Sequence, residues 1–267
     1  MRSPSKLSPA LVAAAVLTAY LAWFLAPLFI LDSELPTEAP AGFDAIFVAG
    51  AGEVIVSVLL FGLLSRLDWW KFIGLKASNA GGLKFVWLPL LYTLMLIALA
   101  AGLAQTSATP LIEVFEYRQL ALLLLISFLI GFNEETIFRG FLFQGLAFRL
   151  GPFLTILLCG ALFGMFHLVN LITGQPLDTT LSQVFQAGSM GFMYAALRLR
   201  LGSIWPLILL HGFWDFSVSI MQQSAQIVGL EVGPQSGFHP AAAIPTFLYG
   251  LFVYWRWSVW KSAHPHS

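Results

Sequence analysis

Apolar residues in this chain come in long blocks rather than in alternation with polar ones. Eight blocks are apolar enough, and about long enough, to cross a bilayer core: approximately Ala10–Leu31, Phe43–Leu64, Phe85–Leu103, Gln119–Phe148, Phe153–Ile172, Thr180–Leu197, Ser203–Gln222 and Ala241–Trp257. A span takes about 20 residues of helix. The pattern predicts an all-α, polytopic membrane helix bundle of about eight transmembrane helices. The first block is about 22 residues, against about 7–15 for the apolar part of a signal peptide, so it reads as a retained span. The fourth is longer than a span requires and is expected to tilt, or to run past the membrane at its Arg149 end.

The connections are short. Asp32–Gly42 contains prolines and reads as an irregular external turn, Gly151-Pro152 as a tight inside turn, and Gln223–Pro240 as a polar external loop. Arg66–Lys84 carries Trp69, Trp70, Lys71 and Phe72, the pattern of rings and cations at headgroup depth. Small residues recur as Gly50-Ala51-Gly52, Gly160-Ala161 and Ala187-Gly188, where helices can approach closely. There is no internal repeat and no linker, so residues 1–267 read as a single integral membrane domain, with a core of interest at approximately 119–222.

Composition agrees with the pattern. The chain is 58% apolar and 10% charged, with mean hydropathy +0.84, where soluble domains carry roughly 25% charged residues. Little mass is left for a soluble domain, and the chain is expected in a cell membrane as a multi-pass protein. Zero formal net charge gives no footing for nucleic acid. The single cysteine, Cys159, lies in an apolar run, which excludes an internal disulfide and a Cys-rich metal site.

Charge sets an orientation. With the N-terminus inside and sides alternating, eleven of the thirteen basic residues fall on the cytoplasmic side: Arg2, Lys6, Arg66, Lys71, Lys76, Lys84, Arg149, Arg198, Arg200, Arg256 and Lys261. Arg118 falls outside and Arg139 within a span. Asp32, Glu34, Glu38, Glu113, Glu116, Asp178 and Glu231 fall outside, and Asp68 inside. Lys and Arg collect in cytoplasmic loops, so both termini are expected to be cytoplasmic.

The blocks are interrupted at a few places by ionisable residues. The fourth carries Asn133, Glu134, Glu135 and Arg139. Each charge at the centre of a span costs on the order of 2.5–3.5 kcal/mol even on a lenient insertion scale. Glu135 and Arg139 are four apart on one helical face and can pair; Glu134, rotated by about 100°, is left to face other helices. The fifth block carries Phe163 and His167, the seventh His211 and Asp215, each pair four apart. Either residue of the second pair can serve the other, with Asp215 orienting the imidazole or standing beside it. Glu134 and His167 lie about 14 residues, roughly 20 Å, from the cytoplasmic ends of their helices, and His211 about 8 residues, roughly 12 Å. A helix broken at Pro206 would close that difference. A carboxylate and two imidazoles are therefore expected to meet in a cavity open to the cytoplasmic side, with Glu134 as a base. Glu53, Asn170, Gln144 and Gln186 are further buried polar positions. Glu53 either supports the site or ties helices together, Asn170 stands behind His167, and the two glutamines are expected to make interhelical hydrogen bonds.

At these residues the sequence resembles a known family. Glu134-Glu135-Thr-Ile-Phe-Arg139 matches the EExxxR motif of the CPBP intramembrane proteases, which include the CAAX-prenyl endopeptidases and the bacteriocin-processing Abi proteins. Phe163-Gly-Met-Phe-His167 matches their FxxxH motif, and His211-Gly-Phe-Trp-Asp215 looks like their HxxxN/D motif. The motifs stand in the family's order. The resemblance implies hydrolysis of a peptide bond at membrane depth in a membrane-bound or prenylated substrate. Glu134 with His167 would activate water, His211 and Asp215 would bind the oxyanion, and Glu135, Arg139, Phe163 and Asn170 would support them. Asp215 stands where the best-known prenyl endopeptidases carry Asn; a carboxylate donates no hydrogen bond unless protonated, which leaves orientation of His211 as its other role. The family is described both as metal-free and as metal-dependent. No cofactor is the favoured reading here, since with Glu134, His167 and His211 on a divalent metal such as zinc no spare base stands out. Two other classes compete: a non-catalytic scaffold or immunity protein of the same family, and a proton- or ion-coupled transporter, whose internal symmetry is absent here.

Overall fold

A computed structural model describes residues 7–30, 43–106, 116–172, 174–230 and 240–264. Among them every regular element is helical. The long helices are α1 (Pro9–Ile30), α2 (Phe43–Leu67), α5 (Trp87–Thr106), α6 (Tyr117–Glu135), α8 (Pro152–Phe166), α9 (Leu177–Leu201), α10 (Trp205–Ile227) and α11 (Pro240–Ala263). Short α3 (Trp70–Ile73) and α4 (Ala80–Leu83) lie between α2 and α5, and α7 (Phe143–Ala147) follows α6. The expected external turn at 32–42 and residues 231–239 of the expected loop at 223–240 lie outside the described residues, as do Arg2, Lys6, Asp32, Glu34, Glu38, Glu113 and Glu231; the first residues of that loop are instead helical, since α10 runs to Ile227.

Among the described residues, five stretches are long and apolar enough to cross a membrane: Pro9–Ala26, Gly50–Leu67, Trp87–Thr106, Tyr117–Ala147 and Pro152–Leu171. These apolar helices mark an integral membrane protein. The predicted sixth, seventh and eighth spans correspond to α9, α10 and α11, which are not among these five. α9 carries Asp178, Gln183, Gln186, Arg198 and Arg200, and α10 carries His211 and Asp215. Buried helices can hold polar side chains that lipid-facing ones cannot.

Two predicted helices are not uniform. The fourth block is α-helical to Glu135, turns π-helical over Thr136–Leu142 and returns to α-helix as α7. Gly140 sits against Ile73 of α3 in that turn, close enough that a Cβ would lie 3.1 Å from its Cδ1. The fifth block stops at Phe166 and tightens into a 3-10 turn, His167–Leu171. Single π turns inside α-helices frequently accompany functional sites. α10, by contrast, is unbroken: Pro206 falls in its first turn, where its missing N–H costs no helical bond.

Glycines let α8 and α9 touch. A Cβ on Gly160 would lie 2.6 Å from the Phe192 amide nitrogen, and one on Gly164 2.5 Å from the Val184 carbonyl oxygen. α9 also packs along α11, α10 along α5 and α6, α2 along α6, and α1 against the π-helical turn and α7.

One end of the bundle is built from the segment after α2. Trp69 and Ile73 are wholly buried in the main apolar core, while Trp70 and Phe72 are partly exposed and Lys71 is exposed. The Asn79 amide donates to the Leu201 carbonyl (2.8 Å), the Ile204 amide to Gly74 (2.9 Å) and Ser203 Oγ to the Lys76 carbonyl (2.6 Å). Gln144 Nε2 donates to the Phe72 carbonyl, one of the two expected interhelical bonds. Arg198, expected in a loop, is instead buried in α9. Its Nη2 donates to the Ile73 carbonyl (3.1 Å) and its Nε to the Arg139 carbonyl (3.4 Å).

Candidate active site

Glu135 is the hub of the polar cluster. It is wholly buried at the end of α6, and its Oε1 accepts from Arg139 Nη1 (2.9 Å) and from His211 Nδ1 (2.8 Å). The spacing of four predicts the first contact; the second crosses from α6 to α10. Arg139 is held further by the Phe163 ring, 4.1 Å from guanidinium carbon to centroid, and by Tyr194 at 5.6 Å.

A carboxylate oxygen only accepts, so Nδ1 of His211 carries a proton. The other nitrogen, Nε2, lies 3.5 Å from Glu134 Oε2 and 3.6 Å from Asp215 Oδ2. A lone pair facing two carboxylates would be repelled, so these three groups share at least one proton. Glu135, not Asp215, thus orients the imidazole, and Asp215 stands with Glu134 at its opposite nitrogen.

His167 begins the 3-10 turn after α8. Its Nδ1 donates to the Phe163 carbonyl at 3.0 Å, which fixes a proton on Nδ1. Phe163 lies between the imidazoles, edge-on to His167 (centroids 5.1 Å apart) and to His211 (5.9 Å). Glu134 and His167 share no hydrogen bond or ion pair; Glu134 is paired with His211.

His167, His211, Asp215, Arg139 and Phe163 line one cavity of about 330 Å³, within the range of small-molecule pockets. Tyr194 and Gln186 of α9 and Trp214 and Ser219 of α10 complete much of its wall. Several buried polar atoms here have no protein partner: Glu135 Oε2, Arg139 Nε and Nη2, Thr136 Oγ1 and Gln186 Oε1. Gln186 therefore does not make the expected interhelical bond through its oxygen. Such clusters are where internal water is retained.

α9 and α10 are joined by the tight turn at Gly202–Ile204, with Gly202 at φ 66°. They close the cavity at that end. Arg139 and Tyr194 at its floor are buried, while Gln183, Val218, Ser219 and Gln222 toward the start of α9 and the end of α10 are partly exposed. The mouth therefore lies at the end opposite Lys76, Arg149 and Arg200.

Sequence reasoning underrated one support. Asn133, next to Glu134, is wholly buried; its Nδ2 donates to Glu53 Oε2 (2.7 Å) and to the Glu53 carbonyl (2.9 Å). Its Oδ1 accepts from Ser57 Oγ (2.8 Å). The polarity of Glu53 inside an apolar block was the available signal. Asn170 donates to Gln183 Oε1 (2.7 Å), tying the His167 turn to α9.

Among the described residues, no three His, Cys, Asp or Glu side chains are grouped so as to hold a metal ion. Glu134, His167 and His211 are not among such a group, and no chemical step below runs through a metal.

Residues 116–217 match the family model described as type II CAAX prenyl endopeptidase Rce1-like. No curated protein and no solved structure matches the chain. The matched stretch holds all three motifs and supports an intramembrane protease. Residues 116–217 are thus similar to the Rce1-like type II CAAX prenyl endopeptidases, consistent with the CPBP family that the motifs resemble.

Proposed function

We propose that this protein is an intramembrane endopeptidase that hydrolyses a peptide bond of a membrane-associated or lipidated substrate. The observation that carries the reading is the meeting of Glu134, His211 and Asp215 beside a polar cavity, which His167 also lines, within a stretch similar to the CAAX endopeptidase family. In this reading the chain crosses the membrane about eight times, with both termini on the basic, cytoplasmic face.

Glu134 takes a proton from a water as the water oxygen bonds to the scissile carbonyl carbon. His167, with a proton fixed on Nδ1, offers Nε2 to orient that water. The carbonyl oxygen becomes an oxyanion and accepts from the Nε2–H of His211, whose other N–H is anchored on Glu135. Asp215 keeps the His211 proton in place. Collapse breaks the C–N bond, and the proton on Glu134 passes to the leaving amine. Apart from the water and the substrate, every group in these steps is a side chain of this chain.

The test is cleavage of a candidate substrate by purified protein, compared with Glu134→Ala and His167→Ala. General acid–base groups contribute about 10²–10⁴-fold, so each variant is expected to lose at least about 10²-fold in kcat while remaining folded. Full activity in both variants removes this mechanism.

A further inference from the structure

The mouth of the cavity and the basic residues of the chain lie at opposite ends of the bundle. At one end the segment after α2, the turn between α9 and α10, α7 and the end of α11 come together. Arg200 there lies over the rings of Phe85 (5.1 Å) and Trp260 (5.2 Å), and Arg198 over Phe143 (5.5 Å). Lys71, Lys76, Lys84, Arg149 and Lys261 belong to these same segments. The other end holds the start of α9, with Asp178, and the end of α10. There Ile220 and Met221 pack with Ala100 of α5, and Leu120 from the start of α6 joins them. Glu116 and Asp178 are exposed at this end, as is Arg118.

Lys and Arg mark the cytoplasmic face of a membrane protein. We infer that the active-site cavity opens to the extracytoplasmic face, and that its substrate is a polypeptide presented from that side of the membrane. The inference rests on the endopeptidase reading for the reaction, but takes the sidedness from geometry and charge alone. The cavity wall offers polar groups that a polypeptide backbone can use. Gln183, Gln186, Ser219 and Gln222 offer neutral donors and acceptors along the way from mouth to floor, with Arg139 wholly buried at the floor and Asp215 partly exposed above it. Amide side chains pair with backbone N–H and C=O groups without demanding a particular substrate side chain. The substrate that satisfies both conditions is a translocated protein whose cleavage segment lies at or just within the outer surface, rather than a tail approaching from the cytoplasm.

Chemical access tests this directly in intact cells expressing the full chain. Its single cysteine, Cys159, is wholly buried and gives little background. Single substitutions Asp178→Cys at the mouth end, Ser219→Cys in the cavity wall and Lys76→Cys at the basic end are treated with a membrane-impermeant maleimide before and after permeabilisation. Label is expected on Asp178→Cys and Ser219→Cys before permeabilisation and on Lys76→Cys only after it. Label on Lys76→Cys from outside, with Asp178→Cys silent until the cells are opened, overturns the inference. That failure would leave the proposed reaction untouched, whereas a fully active Glu134→Ala variant would remove the reaction and leave the sidedness standing.

Discussion

Asn133 shows how one buried amide can govern a neighbouring acid. Both of its functional ends are used: Nδ2 on the carboxylate and carbonyl of Glu53, Oδ1 on Ser57. The backbone that carries Glu134 is thereby pinned to α2. The Glu53 side chain is best regarded as a positioning group, since it acts on Glu134 through Asn133. Glu53→Ala removes a charge-assisted hydrogen bond of roughly 1.5–3 kcal/mol. If that bond holds Glu134 in register, kcat is expected to fall by about 10- to 100-fold with little change in KM. Glu53→Gln keeps an oxygen that accepts from Asn133 and is expected to recover most of the rate. A purely structural Glu53 predicts something else: a lower melting temperature in Glu53→Ala, and an unchanged kcat per folded molecule. Contacts at this scale were legible where they are local. The pairing of Glu135 with Arg139 follows from a spacing of four. The contact between Glu135 and His211 spans 76 positions and that between Asn133 and Glu53 spans 80; no spacing rule reaches that far, and only the polarity of the residues hinted that partners existed.

At the scale of elements, the site depends on how closely α8 meets α9. α8 ends just before His167, and α9 supplies Tyr194 and Gln186 to the cavity wall. The two backbones touch because Gly160 and Gly164 face Phe192, Val184 and Gly188 with no side chain between. Gly160→Leu would force a branched side chain into main-chain atoms that cannot yield. Overpacking of this kind costs typically about 1–3 kcal/mol, occasionally more, and about 1 kcal/mol shifts the melting temperature of a domain this size by roughly 2–4 °C. A loss of several degrees, with cleavage lost in parallel, is the expected result in a thermal melt. Gly62→Leu is the matching control, because a Cβ there meets nothing within 4 Å; it is expected to leave the melt and the rate unchanged. Equal effects of the two substitutions would mean that helix contact is not what Gly160 provides. The small-residue pairs that predict this contact are visible in the sequence. The π-helical turn at Thr136–Leu142 and the 3-10 turn at His167–Leu171 are not, because hydrophobic blocks have the same composition in all three helix types. Tertiary contacts such as Gly140 against Ile73 go with the departure.

At the scale of the whole molecule, the matched stretch is not self-sufficient. α1 covers the π-helical turn, α2 holds Asn133, α5 lies along α10, and α11 lies along α9. All four supporting helices fall outside residues 116–217. Block hydropathy announced these helices but not their partners, and the direction of the cavity mouth follows only from which ends of α9 and α10 are tied together. Cutting them away would expose both the polar cluster and the apolar core around it. In a membrane, apolar surface can face lipid, but Asn133, Glu135 and Arg139 cannot. Their loss of cover is the larger penalty, since a buried charge stripped of its surroundings finds no water to replace them. A fragment of residues 116–230 is therefore expected to fail in mild detergent where the full chain succeeds, with no single symmetric peak on size exclusion, no cooperative melt and no cleavage. Adding back α1 and α2 alone would restore the covers on Asn133 and the π-helical turn but leave α9 and α10 without their outer neighbours. That intermediate length is expected to recover a folded peak before it recovers activity. A fragment of residues 116–230 that melted cooperatively and cleaved at the full-length rate would show that the flanking helices only anchor the domain, and that Glu53 has no part in holding Glu134.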